Sequence, residues 1–242
     1  MGKKPETLPQ KVKNTLEFFE EIGADFAVRG PKPPRGLIPG PLPPGSRPKP
    51  RTFTRDAALL VPIAEEIFVC QKCPLSRNRA RAVPGEGAIA SGLMFVGEGP
   101  GADENIQGRP FVGRAGQLLT KIITAMGFQR PEVFITNIVK CQPPANRPPL
   151  EEEIEACTPY LLRQIEAVQP MVIVALGGVA ANTFVPGSMK ISALRGTFYD
   201  FGAIKVMPTF HPSYLIRNEG NTKIKGAVWD DMKKVMALLG KR

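Results

Sequence analysis

Apolar positions along most of this chain follow two alternating rhythms. A helical spacing runs over 57–68, 115–126, 150–168, 179–184 and 226–239. Between these stretches lie unbroken apolar runs of strand length at 93–96, 133–139, 171–175 and 203–207. Strands this apolar have no side for water. They predict an α/β fold with a central parallel twisted sheet of about four strands flanked by helices on both faces. Ligands of such sheets bind beyond the carboxyl ends of the strands. Three loops meet that condition: Gly97-Glu98-Gly99-Pro100-Gly101 after the first strand, the surroundings of Asn137, and His211-Pro212-Ser213 after the last.

The alternation starts only at residue 56. Residues 1–55 hold 11 of the 26 prolines and eleven Lys or Arg against five Asp or Glu, a surplus of six within a net charge of +10. The run 31–55 is too rich in Pro, Lys, Arg and Gly to build a core and reads as an extended linker. Ahead of it, 14–22 is expected to form a short amphipathic helix, capped by Asn14, with Leu16, Phe19 and Ile22 along one side. The division is therefore a basic, Pro-rich leader and linker at 1–55 and a folded domain at 56–242. A positive balance favours a polyanionic partner, nucleic acid first, because basic surfaces release counterions from phosphates. The leader is a source of such affinity or a contact for a protein partner. No run approaches the roughly 18 uncharged apolar residues that a membrane helix needs. No apolar segment follows Met1, so a soluble, cytoplasmic chain is expected.

The chemistry concentrates in a few positions. All the cysteine is Cys70, Cys73, Cys141 and Cys157. Cys70-Gln71-Lys72-Cys73 leads into Pro74, and Cys141 precedes Pro143 and Pro144. Such stiff turns suit thiolates that must point at one metal centre, zinc or iron-sulfur alike. Disulfides would need an oxidising compartment, for which nothing here argues. The glycine-rich loop lets a backbone approach a ligand closely, but Ala102-Asp103-Glu104 follows where a phosphate loop has Gly-Lys-Ser, so nucleotide hydrolysis is disfavoured. His211, the single histidine, is set by a stiff turn rather than by a helix face.

Taken together, Gly97 to Gly101, Phe111 with Gly113, Ile135-Thr136-Asn137, the Cys141-Gln142-Pro143-Pro144 segment with Asn146-Arg147, and His211-Pro212-Ser213-Tyr214 resemble the family 4 uracil-DNA glycosylases. The resemblance spans about 57–239. It implies a uracil-DNA glycosylase-like fold and a monofunctional enzyme that starts base excision repair by flipping uracil out of DNA and hydrolysing its N-glycosidic bond. It also implies a [4Fe-4S] cluster held by the four cysteines, Phe111 stacked on the base, and Gly97, Gly99 and Gly101 lining its pocket. Asn137 is the expected reader, since its amide supplies one acceptor and two donors to match N3–H and O4 of uracil, whereas cytosine leaves buried groups unpaired. His211 is the expected donor to O2 as negative charge develops on the base, helped by the backbone of 98–101. Glu98 is expected to orient water, with Asn146 and then Asp103 behind it, because Gly99 stands where the best-known uracil-removing family has an Asp. Ser213, Leu215 and Arg217 read as a DNA-contacting segment, with Leu215 and Ile216 as a wedge for the gap left by the base and Arg217 on the phosphates. Arg109, Arg114 and Arg147 are further candidates for that face. Two other readings compete: a relative that traps uracil-DNA covalently through a histidine in an inserted loop, which this chain lacks, and a noncatalytic iron-sulfur DNA-binding module.

Overall fold

The structure, a computed structural model, describes residues 56–241; the leader and its expected helix at 14–22 lie outside the described residues. One sheet carries the domain: β1 (Leu93–Gly97), β2 (Phe134–Asn137), β3 (Val172–Leu176), β4 (Tyr199–Phe201) and β5 (Ile204–Thr209). Its order is β2-β1-β3-β5-β4. The four expected strands pair in parallel, and β4 adds a short antiparallel edge against β5. Tyr199-Asp200-Phe201 is too short to show a period, and the left-handed Gly202 turns it straight into β5. Residues around Glu86 cover the outer edge of β2, with Glu86 N donating to Ile135 O (3.0 Å) and Ile135 N to Glu86 O (2.8 Å).

Eight α-helices pack around this sheet: α1 (Leu60–Val69), α2 (Ala102–Gln107), α3 (Arg114–Ala125), α4 (Glu151–Val168), α5 (Gly178–Phe184), α6 (Ile191–Leu194), α7 (Pro212–Arg217) and α8 (Thr222–Leu238) among the described residues. Strand alternation splits the core in two. Met94, Val96, Ile173, Ala175 and Val206 pack with Leu161 and Ile165 of α4 and Phe184 of α5. Leu93, Phe95, Val172, Val174 and Met207 pack with Leu119 and Ile123 of α3 and Met232 and Val235 of α8. Each such side chain contributes about 1.5–3 kcal/mol on leaving water, which is why the strands read as continuous apolar runs. None of the described helices is long and apolar enough to cross a membrane.

Two boundaries differ from expectation for local reasons. α8 starts at Thr222 because Asn221 Oδ1 accepts from Lys223 N (3.1 Å) and Ile224 N (3.3 Å), a cap that lies ahead of the apolar period. The second strand stops at Asn137 instead of continuing to 139. Ile138 N and Val139 N donate to the Gly97 and Glu98 carbonyls (2.9 and 3.2 Å), which steers the chain over the end of β1.

Candidate active site

Because β1 and β2 end in register, Gly97 opposite Asn137, the loops leaving them open on the same side of the sheet. With the loop after β5 they surround a cleft of about 830 Å³. Asn137 is only 1% exposed. Its Oδ1 is the one buried side-chain polar atom without a hydrogen-bond partner among the described residues. An orphaned buried acceptor costs about 1–3 kcal/mol, a penalty that an incoming N–H removes. A Cβ on Gly97 would overlap that oxygen and lie 2.5 Å from Phe111 Cζ, so the missing side chain is what lets Asn137 and Phe111 meet. Phe111 in turn stands 5.7 Å from the His211 ring, centroid to centroid, at 34°. Three side chains distant in sequence share one hollow.

The Phe111 backbone is left-handed, φ 51°, a conformation costing a bulky residue about 1–3 kcal/mol. Glu104, on α2, holds it there. Its Oε1 accepts from Val112 N (2.8 Å) and Gly113 N (2.9 Å), and its Oε2 from Gly101 N (3.1 Å). One carboxylate thus ties the glycine-rich loop to the Phe111 loop. This role was not foreseen from the sequence, where its one signal is a Glu at the third position of a helix capped by Gly101. Gly116 completes the fit, since a Cβ there would overlap the Phe111 carbonyl. Gly116→Ala is accordingly expected to destabilise the domain by about 1–3 kcal/mol by overpacking, outweighing the ~1 kcal/mol that alanine gains over glycine in a helix. Urea unfolding of the two proteins measures the sign.

His211 caps α7. Its Nδ1 accepts from Ser213 N (3.1 Å) and lies 2.8 Å from Ser213 Oγ, which leaves Nε2 to carry the proton. Burial takes the ring down to about 4, with the Arg217 charge adding to the effect, so it is a neutral donor at pH 7. The strand end behind it is fastened through Thr209 Oγ1, which donates to Asp231 Oδ2 (2.6 Å), while Arg195 grips the other oxygen of that carboxylate (2.6 Å). Glu98 also borders the cleft, and burial raises its carboxyl above the ordinary value. Asn146 borders it too, in a strained loop where Ala145 and Asn146 are both left-handed, and its Oδ1 accepts from Gln142 Nε2 (2.8 Å).

Several expectations are corrected. Leu215 is 4% exposed and packs in the α3–α8 half of the core, so it is no wedge. The apolar group at the rim is Tyr214, 37% exposed, stacked 5.0 Å from Phe210. Ser213 gives its N–H and hydroxyl to His211 rather than presenting them to DNA. Gly101 borders the cleft, but its N–H is committed to Glu104. Asp103 is exposed and does not line the cleft. Arg109 is paired bidentately with Glu86, and Arg147 with Glu153 (2.6 and 2.8 Å), so neither is a free cation; Arg114 and Arg217 are exposed.

On the other side of β2's exit, Cys70, Cys73, Cys141 and Cys157 are free thiols lining one common cavity. Burial pushes Cys157 up to about 11 and raises Cys73 and Cys141. Thiolates there need positive charge beside them, which a bound metal centre supplies. Arg79 Nη1 donates to Cys141 Sγ (3.1 Å) and the Lys72 amide to Cys70 Sγ (3.5 Å), the kind of donor that steadies a sulfur ligand. No group of three or more His, Cys, Asp or Glu among the described residues closes on a metal ion.

A mostly parallel α/β sheet with a cleft over the carboxyl ends of its strands has the architecture in which ligands bind at the strand termini. The model of the uracil DNA glycosylase superfamily matches residues 84–233, and the chain belongs to that superfamily. Within it, the chain is similar to the type-4 uracil-DNA glycosylases of Thermotoga maritima (46% identity, covering 78% of this chain and 98% of that protein) and Saccharolobus solfataricus (44%, covering 74% and 86%). That of Archaeoglobus fulgidus is 40% identical, over 74% of this chain and 93% of its own.

Proposed function

We propose that this chain is a uracil-DNA glycosylase that hydrolyses the bond between uracil and its deoxyribose, leaving an abasic site for DNA repair. The observation that carries the reading is the convergence of Phe111, Asn137 and His211, with Asn137 Oδ1 buried and awaiting a donor. An extruded uracil lies against Phe111, its N3–H donates to Asn137 Oδ1, and its O4 accepts from Nδ2. Cytosine offers no N3–H and sets a donor against a donor, so it leaves two buried groups unpaired.

As C1′–N1 breaks, its electron pair stays with the base and spreads onto O2. The Nε2–H of neutral His211 donates to O2, a preorganised contact that strengthens as charge develops. The sugar becomes cationic at C1′. Glu98, in its ionised form, orients a water onto that carbon and takes the proton released when the new C–O bond forms, with the Asn146 amide as a second hold on the water. Arg217 and Tyr214, both exposed and bordering the cleft, are read as contacts to the flanking strand, one for phosphate and the other to fill the vacated stack. Incubating the protein with a uracil-bearing oligonucleotide and then with alkali should break the strand at the uracil position; intact strands or a stable protein–DNA adduct would refute this reading.

The four cysteines are read as ligands of a four-iron four-sulfur cluster, which when bound crosslinks the loops at 70–74 and 141–147 to α4. A visible band at about 400 nm is expected, unlike the colourless zinc alternative. Cys157→Ala should lose the band and most of the iron, and spectra with iron analysis of the two proteins test it. The leader at 1–55 adds nonspecific attraction to phosphates.

A further inference from the structure

Lys140 is the anomaly of the interior. It is 1% exposed, yet its Nζ donates to three acceptors, Thr136 Oγ1 (2.7 Å), Asn137 O (2.6 Å) and Gln164 Oε1 (2.8 Å). The network closes on itself, since Thr136 Oγ1 and Gln164 Nε2 both donate to Pro84 O (2.8 and 2.7 Å). None of these partners is a carboxylate. Filling the same space with apolar side chains is often as stabilising as a buried charge, so stability alone does not call for a lysine. What the lysine does supply is a grip on one peptide group. The Asn137 carbonyl is held by Lys140, and the N–H of that same peptide, on Ile138, donates to Gly97 O (2.9 Å). Both ends of the plane are fixed, and with them the direction in which Asn137 projects. An orphaned Oδ1 would otherwise be relieved by a small backbone rotation towards other donors.

We propose that Lys140 is a positioning residue for base recognition, clamping the Asn137–Ile138 peptide so that the Asn137 amide faces the extruded pyrimidine. The proposal rests on the reading of Asn137 as the residue that pairs with the base. Lys140 also lines the cysteine cavity and directly precedes Cys141, so the same side chain joins the thiol cluster to the base-reading strand end.

The test compares Lys140→Met, Asn137→Ala and their combination in the full chain with its metal centre. Single-turnover excision of uracil, the uracil-to-cytosine ratio, DNA affinity, the band at about 400 nm and the melting temperature are all measured. A side chain misaimed by about 1 Å costs roughly 10²-fold in rate. Lys140→Met is therefore expected to lose about 100-fold in excision and in base discrimination, with the visible band and DNA affinity retained. In the Asn137→Ala background the same change should add almost nothing, because the residue it positions is gone. An equal loss in both backgrounds overturns the proposal, as does unaltered excision by Lys140→Met. Should Lys140→Met lose its fold, the variant carrying Lys140→Met with Gln164→Leu also removes the buried Gln164 Oε1 that the lysine would leave without a donor. Excision at the parental rate by that protein overturns the proposal, and a 100-fold loss in a folded, coloured protein supports it. If Asn137→Ala itself excises and discriminates normally, the reading of Asn137 fails, an outcome separate from any result at Lys140.

Discussion

Replacing His211 by alanine is expected to slow single-turnover uracil excision by about 10²- to 10³-fold, the usual loss when one preorganised donor to a developing oxyanion is removed. DNA affinity should change little, because the ring acts on the base and not on the phosphates. The chemical form of the histidine sharpens the expectation. Its Nδ1 is occupied by the Ser213 amide, and burial takes it down to about 4. An imidazolium donor would raise the pH dependence of the rate around its ordinary value of 6.5; a neutral donor gives no inflection there. The acid limb of the rate instead belongs to Glu98, raised by burial and required in ionised form, and it should disappear in Glu98→Gln. Stability follows the opposite partner. With the folded value below the unfolded one, the unfolded chain binds the extra proton between about 4 and 6.5. His211 thus contributes stability that is fully present above 6.5 and lost as pH falls through 4. His211→Ala should flatten that stretch of the stability–pH curve. A rate that survives the substitution, or an inflection near 6.5 in the parent, would remove His211 from the donor role.

How much of this was legible in the sequence depended on whether the cause was local. The parallel strands announced themselves because Leu93 to Val96 and Val172 to Ala175 are buried on both faces, which leaves an unbroken apolar run. Asn137 and His211 could be found because they follow such runs, where ligand loops open. Leu215 misled for the same reason in reverse. Beside Arg217 it resembled a wedge, and only the crossing of α7 by α3 shows that it faces the core. Lys140 left no trace in any pattern, and Glu104 only its place at a helix start. A carboxylate that collects amides from two loops looks like an ordinary helix-start Glu, and a lysine whose acceptors lie on β2 and α4 looks like a surface charge. Arg109 and Arg147 looked like phosphate contacts because their partners Glu86 and Glu153 are assigned by folding. The charge surplus of the domain that remains free for DNA is correspondingly smaller than a count of its arginines suggests.

Asn137→Asp is expected to depress uracil excision by about 10³-fold and to bring cytosine excision within reach of detection. The substitution keeps shape and changes only what the site offers. An ionised aspartate still accepts from N3–H of uracil but sets an oxygen against O4 with no proton between them. At a position 1% exposed, beside the Phe111 ring and with Gly97 packed against it, that repulsion is not screened by water. Burial also favours the protonated acid, as it does for other carboxyls in an apolar setting. A neutral acid presents one acceptor and one donor and, by the choice of which oxygen carries the proton, complements either N3–H and O4 of uracil or N4–H and N3 of cytosine. Uracil excision should therefore recover as pH falls and cytosine excision should rise with it, while the parent's selectivity stays level. Rates on paired oligonucleotides differing only in uracil or cytosine, measured across pH, decide it. Equal losses on both bases at every pH would mean that Asn137 shapes the pocket without reading the edge of the base. The orphaned Oδ1 would then need another explanation, because a buried acceptor with no ligand to meet is a standing penalty that a leucine at the same position would avoid.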